Sequence, residues 1–144
     1  MSEGMTMNSL TPAIDAIRIS LHICAVAIWV GGQIVIAVVV PALRADHRSA
    51  LPLVAKAFAR VAWPAFALAV LTGMWSLMAV DVASTSSGYQ VAMMLKVLAV
   101  LLSGGAAAVH SAGSSTAAKA IGGALGLLFA LAAVVLGVLI RAGA

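Results

Sequence analysis

The chain has 144 residues, of which 64% are hydrophobic and only 8% charged, and its mean hydropathy is +1.18. A soluble globular domain carries about 25% charged residues, so that class is excluded. The net charge of +4 comes from cations at the ends of long apolar stretches. That is the signature of membrane topology, and it argues against a basic nucleic-acid-binding face.

Cys24 is the only cysteine, so no disulfide can form within the chain. The tail Met1 to Thr11 has no Lys or Arg and therefore lacks the positive region of a secretory signal peptide. The first apolar stretch is expected to stay in the mature protein.

Thr11-Pro12 is a suitable helix start, because proline's missing N–H would be unpaired in a first turn anyway. The first helix is expected over 14–40, with Pro41 and the polar run Arg44, Asp46, His47 and Arg48 marking its exit into water. It carries Asp15, Arg18, His22 and Cys24 inside a stretch long enough to cross a bilayer. Ionisable groups at such depth are costly and face protein, water or ligand. His22 is thus the first residue that demands an explanation.

The second region divides into an interfacial lead-in over 51–60, with Lys56 and Arg60 on one face, and a span over 61–80. Trp63 and Trp75 stand near the two ends of that span, where amphipathic rings sit at headgroup level, and Pro64 either starts or kinks the helix. A polar turn, Asp81 to Gly88, leads to a third helix over 89–110 that holds Gln90, Lys96, Ser103 and His110. The fourth helix, 120–140, has no ionisable residue. Its Gly122 and Gly126 form the small-xxx-small spacing that lets helices approach closely. The predicted fold is all-α: one integral membrane four-helix bundle occupying residues 1–144.

Counting Lys and Arg sets the expected orientation. The loops between the first and second helices and between the third and fourth carry Arg44, Arg48, Lys56, Arg60 and Lys119, against Arg18 and Arg141 at the other side, so both termini are expected outside the cell membrane. At 1.5 Å per residue His22 then lies roughly 12 Å down and Lys96 roughly 10 Å down. Met74, Met78, Met93, Met94 and Cys24 share that outer layer. Gly31-Gly32 and Gly104-Gly105 lie at comparable depths and are expected to bring the first and third helices together.

This layer supports two chemistries. Imidazole with thiolate or thioether suits copper(I), which points to His22 with Cys24, Met74 or Met78. His22 and Cys24 are about 200° apart on a helix, so one ion uses one of them. Alternatively, His22 and Lys96 on facing helices can hold the iron of haem b inside a bundle. Against these stand Met and Cys as gap-filling hydrophobes, and Lys96 with its amine snorkelling to the interface. His110 and His47 form an inner metal or proton site, or else are interfacial residues satisfied by water. Asp15 and Arg18, three residues apart, make a local ion pair at the outer mouth, from which they can also guide a cation or an anionic propionate.

The run Leu21-His22-Ile23 through Trp29-Val30-Gly31-Gly32, the exit Val40-Pro41-Ala42-Leu43-Arg44, the phrase Phe58-Ala59-Arg60-Val61-Ala62-Trp63-Pro64 to Leu71-Thr72-Gly73, and Leu95-Lys96-Val97-Leu98 together resemble the copper resistance D domain family. The early His and the Leu-Lys-Val with a His fourteen residues later also resemble the bacterial membrane protoporphyrinogen oxidase, thought to hold haem b. In that family the first-helix His and third-helix Lys are the haem-associated positions, which correspond here to His22 and Lys96. Where the oxidase has an aromatic and basic exit, this chain has Val-Pro-Ala-Leu-Arg.

The resemblance implies copper uptake or transfer across the membrane centred on His22. Its alternative is a haem-b redox protein or porphyrinogen oxidase using His22 and Lys96. A third expectation is a small structural subunit, as a homo-oligomer or within a larger membrane complex, with no cofactor.

Overall fold

The computed structural model describes residues 12–143. The polar tail, with Thr11 of the expected helix start, lies outside them. The described residues form four long helices and no strand: α1 Ala13–Asp46, α2 Leu51–Met78, α3 Ser87–Ala112 and α4 Thr116–Ala142. Each is long and apolar enough to cross a bilayer, so this is a multi-pass membrane protein with four candidate spans.

The helix ends follow from capping chemistry. The hydroxyl of Ser86 accepts the Tyr89 amide at 3.2 Å to open α3, and Ser115 does the same for Ala118 at 3.0 Å to open α4. Gly143 closes α4 in the left-handed region at φ 94°, where a side chain would be strained. Three expected boundaries are corrected. α4 opens four residues earlier than predicted, at Thr116, and so includes Lys119, which was expected in the loop before it. The first helix does not stop at Pro41 but continues six residues further than predicted, to Asp46, and the lead-in and span of the second are one continuous helix through Pro64. A proline removes one bond, here to the carbonyl of Ala37 or Arg60, while the rest of the ladder on either side is kept.

The packing is that of helices in lipid. The buried apolar residues are Ala25, Ala62, Ala65, Ala92, Ala99, Ala130 and Ala133, with Trp29 as the one large member. Large aliphatics point outward instead: Val38 is 71% exposed, Leu53 72% and Leu101 64%. Small residues let backbones meet, and the aliphatic coat faces a solvent as apolar as itself.

α1 packs along α2 and α3 along α4, with a lesser contact between α1 and α4. The closest approach is in the second pair. A Cβ on Gly122 would lie 2.8 Å from the Ala106 carbonyl and the His110 amide, so the expected packing role of this glycine holds.

The paired glycines of α1 and α3 serve differently from the expectation. Gly32 leaves room for the Phe58 ring and Gly104 for the Phe66 ring, both from α2, while Gly31 and Gly105 face open space. The two helices are therefore kept apart by aromatic rings instead of touching through glycine.

These rings form the centre of the bundle. Trp29 packs on Phe66 at 4.5 Å and on Trp63 at 5.6 Å between centroids, and its indole N–H donates to the Ser103 hydroxyl at 3.1 Å. Ser103 passes its own proton to the Gly126 carbonyl at 2.8 Å, tying α1, α3 and α4 together. Trp63 is thus not at a headgroup boundary. With α2 beginning at Leu51, it stands mid-helix, in the core.

Candidate functional site

Above this aromatic layer, toward the ends where α1 and α3 begin and α2 and α4 finish, the two helix pairs separate around a cavity. One part, about 250 Å³, opens between α2 and α3. A larger part, about 1120 Å³, extends between α1 and α4. His22, Ala69, Ser76, Met93, Lys96 and Val100 line both parts, which adjoin at these side chains. Trp29, Phe66 and Ser103 line the deeper reach of the larger part, which runs on along α1 to Gly31 and Ile34.

His22 is placed by α2. Its Nδ1 lies 2.9 Å from the Thr72 hydroxyl, and that hydroxyl donates to the Leu68 carbonyl at 2.6 Å. A hydroxyl has one proton, so with Thr72 donating to Leu68 the network assigns the imidazole the Nδ1–H tautomer, in which Nε2 keeps its lone pair. Gly73 faces the ring; a Cβ there would come into van der Waals contact with it, 3.4 Å from His22 Cε1.

Lys96 enters from α3 and turns inward across the bundle. Its amine lies over Gly137 of α4, 3.1 Å from where a Cβ would be. The side chain is half-buried and lines the cavity, in contrast to a snorkelling lysine at the surface. His22 and Lys96, expected at one depth, thus share one cavity.

The expected soft ligands are dispersed. Met74 lines the narrower part of the cavity. Cys24 is exposed on the outside of α1, and Met78 is 81% exposed; neither lines the cavity. Met93 does line it, next to Lys96. His110 is fourteen residues beyond Lys96 on α3, about 21 Å along the axis. There its Nδ1 bonds to the Lys119 carbonyl and its ring lies over Gly123, clasping α3 to α4. Among the described residues no three of His, Cys, Asp and Glu gather as a metal cluster.

The mouth is cationic. Arg18 and Arg141 line it with Tyr89, and the expected Asp15–Arg18 pair is present at 2.8 Å.

Sequence reasoning did not single out Thr72, Gly73 or Gly137 as parts of the site. The available signal was a hydroxyl and a glycine side by side in an apolar span, which marks a place where a polar ring is received.

Comparison with models of known protein families, with characterised proteins and with solved structures finds no match for this chain.

Proposed function

We propose that this four-helix membrane protein binds haem b in the cavity between its helix pairs and acts as a membrane redox protein, with His22 as an axial ligand. One observation carries the reading: His22 Nδ1 meets the Thr72 hydroxyl, which itself donates to the Leu68 carbonyl, an arrangement suited to the Nδ1–H tautomer with Nε2 available to coordinate. A ligating histidine typically donates its other N–H to an oriented acceptor, and Thr72 is such an acceptor.

The surroundings suit the group. The walls are mostly Ile, Val, Ala and Met, the space is far larger than an ion needs, and Lys96 supplies a second nitrogen donor from the facing helix. Bound there, the iron would supply one-electron chemistry. The chain's own contribution is to hold the imidazole through Thr72, to bring the Lys96 amine over Gly137, and to line the deeper part of the space with the Trp29 and Phe66 rings. The resemblance to the membrane protoporphyrinogen oxidase points the same way.

The aromatic layer also weighs against passage of copper straight through the bundle, because Trp29 packs on Trp63 and Phe66 across the interior below His22. A narrower copper reading is favoured by one observation. His22, Met74 and Met93 all line the part between α2 and α3, and an imidazole with two thioethers suits copper(I).

The absorption spectrum and metal content of protein purified in mild detergent separate the two. Red protein with a Soret band that shifts or vanishes in His22→Ala supports haem. Colourless protein with stoichiometric copper, lost in Met74→Leu or Met93→Leu, supports copper and overturns the haem reading.

A further inference from the structure

We propose that the mouth of the cavity is an oxyanion site, in which Arg18 and Arg141 hold the acidic head of an amphiphile whose apolar body fills the space below. The inference deepens the reading of the cavity as a ligand site, but it does not depend on iron.

Arg18 carries the argument. It is only 9% exposed, in a chain whose other arginines at helix ends reach the surface. A cation near the end of a spanning helix ordinarily snorkels outward, with its head in the interface. Arg18 instead lies inward and lines the cavity. Among the described residues its one ion pair, to Asp15 Oδ1 at 2.8 Å, uses a single terminal nitrogen, and Nε is buried with no partner. A buried charged donor left unpaired is costly, and a guanidinium presents a fork matched to carboxylate or phosphate.

The charge around the cavity is one-sided. Arg18, Lys96 and Arg141 line it and, among the described residues, no carboxylate does; Asp15 stands outside the lining. Arg141 has an ordinary role as well, since a cation in the last turn of α4 complements the helix dipole. That role does not require it to face the same cavity as Arg18. Arg18 lies one turn above His22 on α1, about 6 Å along the axis. The order of chemistry from the mouth inward is therefore cationic, then imidazole and amine, then aromatic. An amphiphile with an oxyanion head and an apolar body matches that order. Two sources share this chemistry: a carboxylated tetrapyrrole and an anionic phospholipid.

Binding of metal-free protoporphyrin IX and of its dimethyl ester, followed by fluorescence in phosphatidylcholine nanodiscs, tests the site. The acid should bind about ten-fold to a hundred-fold more tightly than the ester. Arg18→Gln should remove that preference while leaving ester binding unchanged, and Arg18→Lys should retain part of it. The porphyrin carries no iron, so a failed iron assignment would not be confused with a failed oxyanion site; Cys24→Ser, outside the cavity, should leave both affinities as in the wild type.

Native mass spectrometry of protein carrying phosphatidylglycerol distinguishes the sources. One lipid retained by the wild type and lost in Arg18→Gln assigns the head to a phospholipid. Acid preference without a retained lipid assigns it to the carboxylated ligand. Equal binding of acid and ester by the wild type with no retained lipid, or equal loss of both in Arg18→Gln, overturns the proposal. The wild-type comparison stands even if Arg18→Gln fails to fold.

Discussion

His22 and Thr72, fifty residues apart, meet at 2.9 Å between Nδ1 and the hydroxyl, and this contact sets which nitrogen of the imidazole is free. Thr72→Val keeps the shape of the side chain and removes the acceptor. The expected outcome is a 10- to 100-fold loss of haemin affinity, the usual consequence of deleting the partner that orients a ligating histidine. Thr72→Ser should recover most of it. Titration of apo protein with haemin, read at the Soret band, makes the comparison, and wild-type affinity in Thr72→Val would show that the ring is held by packing alone.

Gly137 gives an independent handle on the same space. A side chain at this position grows toward the Lys96 amine, a flexible tip that can retreat, and not toward backbone. Gly137→Val should therefore displace Lys96 and narrow the cavity with little loss of thermal stability, while weakening ligand binding at least ten-fold. A stability loss equal to that of a core mutation, with ligand affinity intact, would place Gly137 among the packing glycines.

Cys24 separates the haem reading from the original copper set. Its thiol is exposed on the outer side of α1 and does not line the cavity. Cys24→Ser is expected to leave the absorption spectrum, the metal content and the melting temperature unchanged. Loss of bound metal in this variant would mean that the thiol reaches the cavity after all.

Hydropathy made the four spans legible, and spacing made the Asp15–Arg18 pair and the Gly122 contact legible, because these depend on length or on one helix surface. The facing of α1, α2 and α3 was not legible. On helices that are apolar all round there is no polar stripe to mark the inner side, so Cys24 and Met78 read as candidates alongside His22 although they point outward. Trp63 read as a boundary marker because Lys56 and Arg60 marked an interfacial lead-in and so set the start of the span at 61. Gly32 and Gly104 were recognisable as contact points, but only the packed structure shows that Phe58 and Phe66 occupy the room they leave. That choice matters, since rings between the helices hold open the cavity that bare glycine contact would have closed.

The glycines themselves provide the most discriminating stability test. At Gly122 an added Cβ would meet the backbone of α3, at the Ala106 carbonyl and the His110 amide, and neither atom can move without shifting a helix. At Gly31 and Gly105 an added Cβ would meet nothing within 4 Å. Overpacking against backbone costs about 1–3 kcal/mol or more, whereas Gly→Ala in an open helix position gains up to about 1 kcal/mol of helix propensity. Gly122→Ala should thus lower the melting temperature in detergent and loosen α3 from α4, and Gly31→Ala and Gly105→Ala should leave it unchanged or raise it. Ser103→Ala belongs between these extremes. It orphans the Trp29 N–H in the core, and hydrogen bonds between spanning helices are worth about 0.6–1.7 kcal/mol. Thermal unfolding of the four variants in one detergent checks the order. If Gly31→Ala proved as damaging as Gly122→Ala, α1 would have to pack more closely than this arrangement allows, and the cavity beside it would be smaller.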